Sequence, residues 1–217
     1  MTCSVDSGPI ADAIARLYAN ARSGNRPPRP QGERPRPTGT PAERSKAAED
    51  RYMPVSQRTG ELMYSLIRAT RPATIVEFGM SYGISTLHLA AALRDNGIGH
   101  IYTTELSEKK IATATGTFAA AGVDDLVTIL AGDALETLPT IEGDIGFVFL
   151  DGWKEMYVPV LDLVENQLPA GTLIVADNTE SPDAAPYLEK VRDPANGYVS
   201  VNLPAKGHDT MEISCRV

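Results

Sequence analysis

From about residue 46 onward the chain alternates five short apolar runs with five stretches of helical spacing. This rhythm restricts the fold more than any other feature of the sequence. TIVEF is followed by ISTLHLAAALRD, IYTTEL by EKKIATATGTFAAAG, LVTILA by ALETL, GFVFLD by VPVLDLVENQL, and TLIVAD by APYLEKV. A strand that returns through a helix runs parallel to its predecessor, so the alternation predicts a parallel sheet wrapped by helices on both faces. The tail departs from the rhythm. YVSVNLP and TMEISCRV are separated only by AKGHD, whose Gly207 suits a turn, so they form an antiparallel hairpin at the sheet's end. The expected fold is α/β, a Rossmann-like doubly wound sheet of seven strands, mostly parallel, with a C-terminal antiparallel hairpin.

A chain of 217 residues with 42% hydrophobic side chains can bury one good-sized core. Three segments are expected. Residues 1–21 form an amphipathic helix with Ile10, Ile14, Leu17 and Tyr18 at helical spacing, residues 22–45 a Pro/Arg-rich linker, and residues 46–217 the folded domain. The linker carries six prolines between Arg22 and Arg44 and almost no apolar residues, so it cannot offset its own ordering entropy. The helix before it needs a partner surface, either a second subunit or the mouth of an acceptor site.

A formal charge of -8 argues against nucleic acid as a partner, because phosphate tracking needs clustered Lys and Arg. Cys3 and Cys215 have neither disulfide-framework nor zinc spacing, which suits a reducing compartment. No apolar run approaches the roughly 20 residues that span a bilayer, and the start has no basic n-region. The expectation is a cytoplasmic protein with no membrane partner.

Strand ends carry the chemistry of such a sheet. The first reads EFGMSYG, and three residues separate Gly79 from Gly83 where a dinucleotide site would place a central glycine for its pyrophosphate. Met80, Ser81 and Tyr82 stand there instead. A ligand with an amino-acid head fits this loop better. Its carboxylate would lie near Ser85 and the helix amides, and its ammonium near Glu77. S-adenosylmethionine has such a head. Glu105 ends the second strand, where a carboxylate can accept from both ribose hydroxyls, and Asp133 in Gly132–Ala134 could meet the adenine amino group. The plainer readings are a tight turn for the glycines, a helix N-terminal charge for Glu105 and an N-cap for Asp133.

Asp151 ends the fourth strand, and Asp177 with Asn178 ends the fifth. Neighbouring strands lie about 4.8 Å apart, so two carboxylates and an amide oxygen converge. That donor set suits a hard cation such as Mg²⁺, although capping of the following helices would also account for the aspartates. Lys154 follows Asp151 by three residues, and each charge is expected to have its own target, so the two need not form an ion pair.

The segments FLDGWKEMY, LIVADN and EFGMSYGIS resemble the catechol O-methyltransferase family of class I, cation-dependent enzymes, over about Tyr52 to Asn178. The resemblance implies that Asp151, Asp177 and Asn178 hold Mg²⁺ and that Lys154 is the general base. It implies further that Glu77, Ser85, Glu105 and Trp153 line the cofactor, with Met53 and Val55 covering it; Gly79, Tyr82, Gly83, Asp133, Ala134 and Asp151 complete the expected cofactor site. Family members often form dimers, so a homodimer is expected. Two departures stand out. No glutamate occurs between Asn196 and Met211, where the family's catechol enzymes use one for the second hydroxyl, and Gly152 replaces the family's adenine-stacking histidine.

The expected activity is transfer of a methyl group from S-adenosylmethionine to a hydroxyl of a small, aromatic or vicinal-diol acceptor. Tyr157, Trp153 and Met53 either shape the acceptor pocket or pack in the core. The alternatives are a metal-independent methyltransferase of the same fold, a nicotinamide-dependent oxidoreductase, and a non-catalytic cofactor-binding protein.

Overall fold

The computed structural model describes residues 3–23, 39–205 and 207–217. Seven strands form one sheet: β1 (Thr74–Phe78), β2 (His100–Glu105), β3 (Val127–Ala131), β4 (Phe147–Leu150), β5 (Leu173–Asp177), β6 (Tyr198–Pro204) and β7 (Thr210–Arg216). Their spatial order is β3-β2-β1-β4-β5-β7-β6. The first five run parallel, and β7 pairs antiparallel with both β5 and β6. The strand order therefore reverses between β1 and β4, and the crevice beyond their carboxyl ends is where such sheets bind ligands.

Side chains alternate between two buried faces. Ile75, Ile101, Phe147, Phe149, Val175 and Met211 point to one layer, shared with α1 (Pro9–Ser23), α3 (Gln57–Thr70), α4 (Ile84–Asn96) and α5 (Glu108–Ala121). Val76, Phe78, Val148, Leu150, Ile174 and Ala176 point to the other, with α6 (Ala134–Thr137), α7 (Tyr157–Val164) and α8 (Ala185–Arg192). Helix α4 is buried along nearly its whole length because the sheet lies beneath it and α1 and α3 lie on it. Among the described residues no helix is long and apolar enough to cross a membrane.

Two features differ from the sequence reading. Helix α1 buries Ile10, Ala13, Ile14 and Leu17 against α4 and α5 of its own chain, so the partner surface for its apolar face is this helical layer. Ser4 Oγ, just before it, donates to Asp95 Oδ1 at 2.6 Å. Residues 24–38 of the predicted linker lie outside the described residues, while its last residues enter helix α2 (Pro41–Ala47). Thr40 and Glu43 cap that helix reciprocally and Pro41 occupies its first turn, local signals strong enough to start a helix despite the proline-rich surroundings.

Candidate active site

The loop after β1 turns tightly into α4. Gly79 has φ +100°, and a Cβ there would lie 2.6 Å from Gly152 N, so the loops after β1 and β4 meet backbone to backbone. Ser81 also adopts a left-handed φ of 52°. Its N–H donates to Glu105 Oε2 at 2.9 Å, and its buried hydroxyl has no hydrogen-bond partner. Glu105 Oε1 accepts from the amides of Leu106 and Ser107, both at 2.8 Å, so three backbone donors fix this carboxylate at the end of β2.

Met53, Val55, Gly79, Ser81, Tyr82, Ser85 and Asp151 are brought together around a cavity of about 10 Å³. That is about the space of a single water. The Tyr52–Val55 segment lies over the glycine loop. Tyr82 holds that segment. Its ring stacks on Tyr52 with centroids 4.1 Å apart, and its hydroxyl donates to Glu49 O at 2.7 Å. The donor chemistry nevertheless fits S-adenosylmethionine: an unpaired buried hydroxyl at Ser81, helix amides at Ile84 and beyond, and an anchored carboxylate at Glu105.

The remaining predicted cofactor residues lie elsewhere. Glu77 sits on the α4 side of β1 with no exposed surface, and its Oε2 accepts from Thr86 and Thr103 hydroxyls at 2.5 Å each. Burial pushes its carboxyl up, while the hydroxyls of Ser85, Thr103 and Thr86 pull the other way. Asp133 Oδ1 accepts from Leu135 N at 2.9 Å and caps α6, whose first residue is the buried Ala134.

Asp151 and Lys154 lie in ion-pair contact, which the sequence reading did not require. Lys154 Nζ lies 3.2 Å from Asp151 Oδ1 and also donates to Gly152 O at 3.0 Å. The chain enters a 3-10 turn at Lys154–Met156, which folds the ammonium back over the carboxylate three residues earlier. Both side chains are about 15% exposed, at 15% and 14%, so each charge is the other's main substitute for water. Asp151 is pushed up to about 7, first by burial, with the Lys154 charge lowering it and the Asp177 charge raising it.

Asp177 is buried at the end of β5, next to Asn178, whose φ is 58°. Among the described residues no three His, Cys, Asp or Glu side chains gather to hold a metal by themselves. A cation here would need the Asn178 amide oxygen and water to complete its shell. The mutual repulsion of Asp151 and Asp177 in a buried site is the electrostatic feature such an ion would relieve.

Trp153 lies under Arg44 of α2, whose guanidinium carbon is 4.6 Å from the ring centroid and which also pairs with Glu155. Tyr157 packs in the core. It is fully buried, edge-on to Tyr187 and Phe78, and its hydroxyl donates to Asp177 O at 2.8 Å. His88 is buried, and His208 is exposed in the β6–β7 turn. Sequence reasoning missed Arg44 and Asp209, the latter accepting from Asn178 Nδ2 at 2.8 Å. Neither has a local signal, because each acts on a loop remote in sequence.

Comparison with known proteins agrees with the fold. A profile of the methyltransferase domain matches residues 76–179. Catechol O-methyltransferase of Sus scrofa is 30% identical over 151 residues, which cover 66% of this chain and 80% of the pig protein. Catechol O-methyltransferase of Mycobacterium tuberculosis is 33% identical over 135 residues, covering 62% of this chain and 60% of that protein. The matched region is only 53% of the Bos taurus relative. Among solved structures, the SAH-bound methyltransferase of Podospora anserina is 27% identical, with 93% of this chain and 87% of that one covered at a TM-score of 0.65.

Proposed function

On the premise that this chain belongs to the catechol O-methyltransferase family of S-adenosylmethionine-dependent O-methyltransferases, we propose that it methylates one hydroxyl of a small vicinal-diol or aromatic acceptor with Mg²⁺ assistance. Asp151, Asp177 and Asn178 hold the cation in this reading, and Lys154 is the general base. The observation that carries it is the partly buried Asp151–Lys154 pair at the end of β4, beside Asp177 at the end of β5. S-adenosylmethionine supplies an electrophilic methyl group, and Mg²⁺ lowers the pKa of a coordinated hydroxyl.

The protein's own part is alignment and proton removal. Ser81, Ser85 and the first amides of α4 orient the amino-acid head, and Glu105 the ribose. Met53 and Val55 close over them and exclude water. In this reading Asp151 turns to the cation, and Lys154, released from it as the neutral amine, takes the hydroxyl proton as the oxygen is methylated. The acceptor enters beside Trp153 and the β6–β7 turn.

The direct Lys154–Asp151 contact also favours a second reading, in which the ion pair itself grips the acceptor hydroxyl and no cation is needed. A panel of catechols and other vicinal diols, assayed with S-adenosylmethionine, separates the two. The first reading expects EDTA to abolish turnover and Mg²⁺ to restore it, while full activity in EDTA overturns the cation and leaves the second reading.

A further inference from the structure

The geometry points to Asp209 as a positioning residue that turns the Asn178 amide so that its oxygen, not its nitrogen, is presented to a cation. The inference rests on the reading of Asp151, Asp177 and Asn178 as the cation's ligands. Asn178 Nδ2 donates to Asp209 Oδ2 at 2.8 Å. An ionised carboxylate only accepts, so the NH₂ end of the planar amide must face the β6–β7 turn and the Oδ1 end must face away from it. Flipping the amide would set a carbonyl oxygen against a carboxylate. A hard cation binds oxygen, so an amide that is free to flip offers it a donor N–H for part of the time.

Asp209 is itself held. Its Oδ1 accepts from Thr210 N at 3.0 Å, and its carbonyl accepts from Ala205 N across the turn at 2.9 Å. The residues that follow the pair are clamped as well: Thr179 N donates to Thr210 O at 2.9 Å, and the two threonine hydroxyls lie 2.7 Å apart. The left-handed backbone at Asn178 leaves β5 at this clamp. Asp209 also belongs to the same electrostatic neighbourhood as the proposed ligands. The buried Tyr157 phenol is pushed well above its ordinary value by burial first, and then by the charges of Asp151, Asp177 and, further down, Asp209.

The test is a Mn²⁺ titration of the full chain by calorimetry, with free Mn²⁺ counted by electron paramagnetic resonance. Asp209→Ala is expected to weaken Mn²⁺ binding by about 10-fold or more, the usual effect of removing an orienting partner. Asp209→Asn, which keeps an acceptor oxygen, should recover most of the loss. In an Asn178→Asp background both ends of the side chain are oxygens, so adding Asp209→Ala should no longer weaken binding. An equal loss in both backgrounds means that Asp209 acts only through its charge, and overturns the inference. Unchanged affinity of Asp209→Ala overturns it too. If the wild-type chain binds no Mn²⁺, the cation reading fails, and the role of Asp209 fails with it.

Discussion

Phe78 occupies the space that a side chain at Gly152 would need. A Cβ on Gly152 would stand 2.3 Å from Phe78 Cε1 and 2.5 Å from Cζ, so any side chain at the start of the β4 loop would force the ring at the end of β1 to shift. This accounts physically for the absence of the histidine that the family resemblance led one to expect there. One ring is already present, contributed by the neighbouring strand.

Gly152→Ala should therefore destabilise the fold by about 1–3 kcal/mol through overpacking. Adding Phe78→Leu should relieve most of that cost. Denaturant midpoints of the two single variants and the double variant check it, and a double variant no more stable than Gly152→Ala would show that the clash lies elsewhere.

Lys154→Ala should lower turnover by about 100-fold or more, the usual worth of a general base, while the KM for S-adenosylmethionine changes little. Lys154→Arg should not restore the rate, because a guanidinium does not give up its proton. Initial rates under saturating cofactor decide this, and an active arginine variant would leave position 154 with only an electrostatic role.

Arg44→Ala should loosen α2 from the β4 loop. The stacked guanidinium is worth about 0.5–2 kcal/mol by analogy with other cation–π contacts. Trp153 is the chain's single tryptophan, so its fluorescence reports this contact directly. A shifted emission maximum and faster proteolysis around residues 41–47 are expected, and an unchanged spectrum would mean that the ring's environment does not depend on Arg44.

His88 makes the fold sensitive to mild acid. Its ring is 1% exposed, packed on Gly60 and 3.4 Å from the Tyr18 hydroxyl, and burial pushes its pKa down to about 4. An unfolded histidine titrates near 6.5, so between about pH 6.5 and 4 the unfolded chain binds a proton that the folded chain refuses. The stability this confers is complete above that window and is lost as pH falls through it, by up to about 3 kcal/mol. Urea unfolding from pH 7.5 to 4.5 should show a steeper decline for the wild type than for His88→Gln. Parallel curves would place the sensitivity in other groups.

The strands were legible because buried parallel strands read as unbroken apolar runs, and all seven formed where those runs lie. Asp151, Asp177 and Asn178 were legible because a polar residue that ends such a run has only one place to be. Glu77 was harder to place. Its neighbours suggested the loop, but strand alternation sends its side chain to the α4 face, where two threonine hydroxyls await it. The Asp151–Lys154 contact turned on a 3-10 turn that residue spacing alone does not specify. Asp209 was illegible because its partner lies 31 residues away in another loop.

The placement of β7 has a consequence for how the protein is made. It is the last strand in chain order, yet it lies inside the sheet between β5 and β6. As a ribosome delivers the chain, β5 waits with one edge bare until residues 210–216 emerge, exposing Leu173, Ile174 and Val175 to any other strand nearby. The end of β5 that carries Asp177 thus gains its second strand partner only once β7 is in place.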